Sequence, residues 1–358
     1  MTHASSELAE LHDELRSVAR DLLAKAGEEA SIDWGLITQS GWLGLEVGGE
    51  FDGADATFAE VAVILDEVGR AAARGPYSSV ALAVGALNAL APSPARDELL
   101  CATVGGTAVP VVGLPGESPE PSPFRLELTS HGAVLSGRAE FVADGIEADR
   151  LLLPAIGSDG PVLVAVAPSA AGITVGERPV VDATRRFADI TAEGVEVDQE
   201  SVWHFAGDGP EELRRLQQRA AIAVACDSLG IAAAMLDATV AYAGVREQFG
   251  RKIGSFQAVK HACADMLVAV SVARRLVAAA VVGQTENSAD AALAAHMAKS
   301  YACAAAVDIT GKAMQLHGGI GYTWESGVHV YLKRAALNRS LYGSLAAHRR
   351  SIAERYRA

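Results

Sequence analysis

Cysteine is scarce in this chain. The four present in 358 residues, Cys101, Cys226, Cys263 and Cys303, have neither the paired spacing of a disulfide framework nor that of a metal site. Three fall inside apolar helical patterns, and all four are expected to be reduced core residues. Positive charge is also in deficit. Lys and Arg total 30 against 44 Asp and Glu, a net charge of -14, which argues against a nucleic-acid surface and leaves anion binding to local basic patches. The opening MTHASSELAELHDELRSVARDLL lacks the basic start, unbroken apolar core and small-residue cleavage site of a signal peptide. No strongly apolar run stays uninterrupted for the length of a membrane span, because charges punctuate the alanine-rich stretches. A cytoplasmic protein with no membrane or nucleic-acid partner is therefore expected.

What is present is apolar material: 50% of the residues are hydrophobic, enough for a large core across two or three domains. Leu8, Leu11, Leu15, Val18 and Leu22 mark a first amphipathic helix. After Trp34 a glycine-rich loop with Gly48, Gly49 and Gly53 leads into a second helical pattern ending near Gly69 and Arg70. Between about Ala102 and Val202 the period falls to two, with Pro and Gly punctuation, which reads as a small β domain. From Pro210 the helical period returns. Ala221, Val224, Ala225, Ser228, Ala232, Met235 and Thr239 form one face and the stripe from Phe256 a second. Leu293, Met297, Ala304, Val307 and Met314 form a third, and the tail after Val328 a fourth, so a bundle is expected. The fold class is α+β, with a helical domain over 1–100, a β domain over 101–205 and a four-helix bundle over 206–358.

The most specific stretch is REQFGRKIGSFQAVKHACADM, from Arg246 to Met266. Phe256, Val259, Cys263, Met266 and Val270 recur in steps of three and four, one stripe on a helix, and Gly250 and Gly254 bracket a break before it. Alone, Arg246 at a helix carboxy terminus would complement the dipole or make a surface ion pair. With its neighbours it suits a pyrophosphate, because a guanidinium donates two parallel hydrogen bonds and does not deprotonate. Gln248 could reach the same group, Phe249 would anchor the turn in apolar contact, and Phe256 and Gln257 open the next helix. For Phe256 a plain core role is as good a reading.

A second cluster runs from Gln315 through His317, Gly318, Gly319 and Gly321 to Glu325. Two glycines after a helical pattern stop a helix, and without Cβ atoms they also let a dinucleotide approach the backbone. They follow a helix and not a strand, so this is not a Rossmann loop. His261, His296 and His317 have no carboxylate at motif spacing and are assigned no role. Lys333, Arg334 and Arg339 read as a solvated face or subunit contact.

These motifs resemble the acyl-CoA dehydrogenase family over nearly the whole chain. The resemblance implies that Arg246, Gln248, Phe249, Phe256, Gln257, Gln315, Gly318 and Gly319 hold the ADP part of an FAD lodged mainly in a neighbouring subunit. It also implies an acyl-CoA substrate and an electron-acceptor flavoprotein. The glycine-rich loop at Val47–Gly53 and the closing segment with Asp182, Thr184, Arg185 and Arg186 are similar to family counterparts. Two features depart from the pattern. The flavin-facing loop is shortened to the proline-rich VPVVGLPGESPEPSPF, and Phe141, Val142 and Ala143 replace the Trp- or hydroxyl-bearing strand.

Removing the α-proton of an acyl-CoA calls for a desolvated carboxylate of raised pKa. Of the two positions at which the family places that Glu, one aligns with Tyr342 ahead of Gly343 and the other with Ala220. Neither is a carboxylate, and a phenol with an ordinary pKa near 10 is a poor base at neutral pH. The pattern resembles the base-lacking subunit of bacterial heterotetrameric (α2β2) members of the family that act on steroid side-chain CoA thioesters in β-oxidation. Two other readings stay open. One is an active homotetramer using Glu211, Glu212 or Asp227, and the other is a non-enzymatic acyl-CoA or protein-binding module.

Overall fold

The structure, a computed structural model, describes residues 3–24, 31–117, 122–129 and 132–357. Residues 118–121 of the proline-rich loop lie outside the described residues. The leading helices are α1 (His3–Ala24), α2 (Trp34–Gln39), α3 (Phe58–Arg70), α4 (Tyr77–Asn88) and α5 (Pro94–Val104). Strands β1 (Pro110–Val112), β2 (Phe124–Thr129), β3 (Gly132–Ala143), β4 (Arg150–Gly157), β5 (Gly160–Val166), β6 (Ile173–Arg178), β7 (Phe187–Val197) and β8 (Val202–His204) follow. Then come α6 (Gly209–Val245), the short strands β9 (Glu247–Gln248) and β10 (Arg251–Lys252), α7 (Gln257–Glu286), α8 (Ala291–His317), α9 (Val328–Ser340) and α10 (Leu345–Arg355). By packing these form two compact units.

One unit comprises residues 31–61 and 74–220. Local chemistry starts its helices. Asp33 accepts from the Leu36 N–H to cap α2, and Ser93 caps α5 ahead of Pro94. Glu60 reaches back to the Thr57 N–H at 2.8 Å, the reciprocal bond of a capping box on α3. The sheet runs in the order β6-β7-β3-β2-β4-β5-β8, with β1 paired in parallel to β4. Strands β4 and β5 carry nearly continuous apolar runs because they are buried in its centre, whereas β2 alternates buried and exposed residues. Pro154 is tolerated in central β4 because one edge of that strand passes from β1, paired at 150–152, to β2, paired at 155–156. The apolar core gathers Phe124, Leu135, Leu151, Leu153, Val164 and Ile190.

The other unit comprises α1, residues 62–73 and residues 221–357, and it is helical but for the β9–β10 hairpin. All seven residues of the expected α6 face are buried. Gly69 and Gly230 let α3 and α6 touch through their backbones. A Cβ on Gly230 would lie 1.9 Å from the Asp66 carbonyl oxygen, and one on Gly69 2.1 Å from that of Asp227. The expected α7 stripe is buried at Met266 and Val270 and half-buried at Phe256, Val259 and Cys263, whereas the α8 face and the tail need correction. Around α8 the small residues Ala295, Ala298, Ala302, Cys303 and Ala306 are buried, while Leu293, Met297, Ala304 and Val307 are only half-buried. The tail is two helices, α9 and α10, broken at Leu341–Ser344. Of the cysteines, Cys226 and Cys303 are buried, Cys263 is half-buried and Cys101 is exposed, so only two are core residues, and all four are free thiols.

Charge is also sealed into this unit. Lys299 is fully buried, and its Nζ donates to the Asn338 carbonyl at 2.8 Å, so a cation from α8 neutralises the carboxy-terminal end of α9. Burial lowers the Lys299 pKa. Among the described residues two helices, α6 and α7, are long and apolar enough to cross a membrane by length and composition, and charges interrupt both, Asp227 and Asp237 in α6 and Arg274 and Arg275 in α7. In α6 83% of the most apolar window is buried within the protein, as expected of a core helix.

Candidate functional site

Helix α6 ends at Val245, and the chain turns at once into the β9–β10 hairpin, in which Gln248 pairs with Arg251 and Glu247 with Lys252. Its two-residue tip is Phe249–Gly250, with φ of 52° and 72°, the double left-handed pattern of a type I′ turn. Gly250 fits that geometry, but Phe249 is a bulky residue held where side chains are strained. Phe249 is 91% exposed, and among the described residues its ring pairs edge-on with that of Phe256 at 6.2 Å, so it does not anchor the turn as expected. The backbone does that work: the Ile253 N–H donates to the Arg246 carbonyl at 2.8 Å, tying the hairpin to the end of α6. Arg251 stacks on Phe256, 4.1 Å from its centroid.

Tertiary structure brings the second cluster to the same place. The Tyr242 ring stacks on His317 at 4.5 Å, joining the last turn before Arg246 to the last residue of α8. His317 Nδ1 lies 2.7 Å from the Ala313 carbonyl, which can only accept, so this nitrogen carries the proton and the ring is held in place. This contact was not legible in the sequence: the one available signal was an aromatic residue four before Arg246. Gly318 caps α8 at φ 62° and ψ -142°, a region open essentially to glycine. Gly319 differs, since a Cβ there would meet nothing within 4 Å. Among the described residues no packing calls for glycine at 319.

Arg246, Gln248, Gln257 and Gln315 are all exposed around this edge, and among the described residues the Arg246 guanidinium has no ion-pair partner. An unpaired guanidinium, three exposed amides and a glycine backbone open to approach make a donor set that fits a diphosphate and its attached nucleoside. The chemistry of the residues therefore suits the ADP portion of FAD.

The expected base position is also a turn. Tyr342 and Gly343 have φ of 52° and 105° between α9 and α10, and Ser344 caps α10 by accepting from the Ala347 N–H at 3.2 Å. His348 Nε2 lies 3.1 Å from the Tyr342 carbonyl, and His348 Nδ1 lies 2.8 Å from His296 Nδ1. The carbonyl requires the proton on His348 Nε2, so His348 Nδ1 accepts from His296 Nδ1–H. His296, which had no assigned role, and His348 thus hold the backbone at position 342. The other position, Ala220, is buried in α6. Its neighbour Arg219 pairs with Glu46 and lies 4.1 Å over the Phe58 ring.

The alternative carboxylates are committed elsewhere. Asp227 is buried against Arg334, with Nη2 to Oδ1 at 2.6 Å, and accepts from Asn338 Nδ2 at 2.7 Å. Arg334 is therefore a core residue and not part of a solvated face. Lys333 keeps partial exposure over Trp324, and Arg339 is exposed. Glu211 and Glu212 pair with Arg214 and Arg215 on the first turns of α6. Asp182 closes the turn into β7 by accepting from the Thr184 N–H and hydroxyl, and Arg186 pairs with Glu147 and Glu177.

A helical unit with this hairpin and a unit built on a mixed sheet define a fold shared with solved acyl-CoA dehydrogenases. Butyryl-CoA dehydrogenase from Megasphaera elsdenii superposes with a TM-score of 0.86 at 22% identity, covering 97% of this chain and 98% of that one. Residues 212–357 match the model of the acyl-CoA dehydrogenase C-terminal domain. The chain is 32% identical to acyl-CoA dehydrogenase IpdE2 of Mycolicibacterium smegmatis over 94% of its own length and 91% of that protein. It belongs to the acyl-CoA dehydrogenase family. The ChsE4-ChsE5 complex of Mycobacterium tuberculosis contains a chain of the same fold at 25% identity and TM-score 0.85, covering 100% of this chain and 98% of that one. The steroid acyl-CoA dehydrogenase variant Tcur3481-Tcur3483 gives 26% identity and TM-score 0.85 at 97% and 98% coverage.

Proposed function

We propose that this chain is a subunit of an FAD-dependent acyl-CoA dehydrogenase that supplies the adenosine and pyrophosphate half-site to a homologous, base-containing partner subunit. The carrying observation is the Arg246 hairpin, which presents an unpaired guanidinium on a fixed turn while both positions expected for a base hold Tyr342 and Ala220. Arg246 would pair with the diphosphate, Gln248, Gln257 and Gln315 with polar atoms of the nucleoside, and the Gly318–Gly319 backbone would lie against them. FAD, when bound, would supply the acceptor for the hydride of the acyl chain, the α-proton would go to the partner's carboxylate, and an electron-transferring flavoprotein would take the electrons onward. Relatives named for steroid acyl-CoA chemistry and for paired subunits support a bulky acyl-CoA as substrate. The same reading keeps domain divisions near residues 100 and 205.

The test expresses the chain alone and with a base-containing homologue, then measures flavin content and dehydrogenation of a steroid side-chain CoA thioester. Turnover is expected only in the mixed complex. Full activity of the chain alone would overturn the reading.

A further inference from the structure

The sheet-bearing unit contains a cavity of about 430 Å³, and none of the residues lining it belongs to the set assigned to the cofactor. Four segments distant in sequence supply its walls, 31–34, 74–76, 144–147 and 183–186, together with Val109. Hydrogen bonds fix these walls to one another. The Ile32 N–H donates to the Arg74 carbonyl at 2.9 Å, and the Asp144 N–H donates to the Arg186 carbonyl at 2.8 Å. Trp34 Nε1 donates to the Gly106 carbonyl at 3.0 Å, so the indole is held with its polar atom satisfied. Gly75 has a φ of 130°, where glycine is favoured, which fixes the turn that follows Arg74. A cavity framed by bonded backbone keeps its shape before a ligand arrives, and less ordering is then needed on binding.

The polar groups on the walls say which ligand fits. Glu147 and Arg186 pair at 2.7 Å and cancel. One cation and one carboxylate are left. Arg74 is exposed, and among the described residues its guanidinium has no ion-pair partner. Asp144 is only 9% exposed, is held at a φ of 53°, and accepts from the Ser79 hydroxyl at 2.6 Å. With about four acceptor sites, a carboxylate can take a further donor beside its bonds inside the chain. Ile32, Trp34, Pro76 and Val109 give the rest of the lining an apolar character. Apolar walls with a few placed polar groups are the make-up of a small-molecule site. An anionic group suits Arg74, because a guanidinium donates two parallel hydrogen bonds to a carboxylate. A hydroxyl suits Asp144 better than an ammonium, since it brings no charge to be stripped of water. A polyphosphate fits poorly, because Asp144 and Glu147 repel its further charges.

We propose that this cavity binds a hydroxy acid with a compact hydrocarbon body, its carboxylate on Arg74, its hydroxyl donating to Asp144 and its carbon skeleton against Trp34 and Val109. The site does not depend on the cofactor reading, and its readout is binding and not flavin or turnover. The full-length chain is titrated calorimetrically with hydroxycyclohexanecarboxylate as the probe, and one molecule is expected to bind per chain. The indole N–H resonance of Trp34, identified by its loss in Trp34→Phe, should shift with the same saturation. Arg74→Ala changes an exposed side chain, and circular dichroism checks that it folds. It should lower the affinity on the order of tenfold or more, and Arg74→Lys should recover part of the loss. Cyclohexanecarboxylate lacks only the hydroxyl and should bind the parent on the order of tenfold more weakly. Taking the hydroxyl from the ligand leaves the Ser79–Asp144 bond and the fold intact. No saturable binding, an unmoved Trp34 resonance, unchanged affinity in Arg74→Ala or equal affinity for the acid without its hydroxyl would overturn the proposal. Tighter binding of aminocyclohexanecarboxylate or of coenzyme A would overturn it as well.

Discussion

Asp227 on α6 and Arg334 on α9, 107 residues apart in sequence, form an ion pair in which both side chains are 2% exposed. Arg334 also donates to the Ala73 carbonyl at 2.8 Å, and Asn338 Nδ2 bonds both Asp227 and Ser228. With its lone pairs engaged on two sides, Asp227 is a clamp between helices and not a proton acceptor.

Removing one partner strands the other charge in the core. Asp227→Ala or Arg334→Ala is expected to cost about 3–5 kcal/mol of stability, since breaking a buried pair leaves an uncompensated charge. Denaturant unfolding measures it. A loss within experimental error in either variant would contradict the clamp.

For Arg246 the expectation is the reverse. Its exposed guanidinium contributes little to folding, so Arg246→Ala should leave the unfolding midpoint unchanged while the assembled oligomer loses flavin on desalting. Arg246→Lys should rescue only part, because an ammonium lacks the two-pronged donor geometry. Flavin content equal to the parent in the Ala variant would remove Arg246 from the half-site.

Tyr342→Phe separates a partner-supplied base from a resident one. If no proton passes through the Tyr342 hydroxyl, turnover of the reconstituted complex stays near that of the parent at equal flavin loading. If the hydroxyl is the base, the rate falls on the order of a hundredfold or more.

The His296–His348 pair gives position 342 a pH dependence. Burial, then the nearby Lys299 charge and His296, push the His348 pKa down to about 4, and burial lowers that of His296 too. An unfolded His titrates near pH 6.5, so the unfolded chain binds the extra proton first. The contribution of His348 to stability is present above about pH 6.5 and is lost as pH falls toward 4. Asp66 works against it: burial raises its carboxyl to about 6, which adds stability as pH falls from 6. The comparison of parent with His348→Asn cancels the Asp66 contribution. The parent should be the more stable at pH 7, and the difference should narrow by pH 5. A gap independent of pH would show that the imidazole is only a spacer.

Local physics made much of this protein legible from sequence. A seven-residue face of α6 could be read because helical contrast between apolar and polar positions survives there, and the Phe-Gly turn and the glycine pair because backbone dihedrals depend on neighbouring residues. In α8 that contrast fails: alanine, serine and cysteine pack on nearly every side, so the larger residues Leu293, Met297 and Val307 marked a half-buried edge and not the core. Nor could sequence distinguish Arg246 from Arg334. Both are arginines in the helical carboxy-terminal stretch, one just past the end of α6 and one in the middle of α9, and one is exposed and unpaired while the other is sealed against Asp227. Likewise Lys299 at the end of α9, Tyr242 on His317, and His296 with His348 depend on residues far apart in the chain. Periodicity and turn chemistry are properties of a few consecutive residues. Burial and charge pairing are set by every element that packs around a side chain, and those neighbours exist only once the chain has folded.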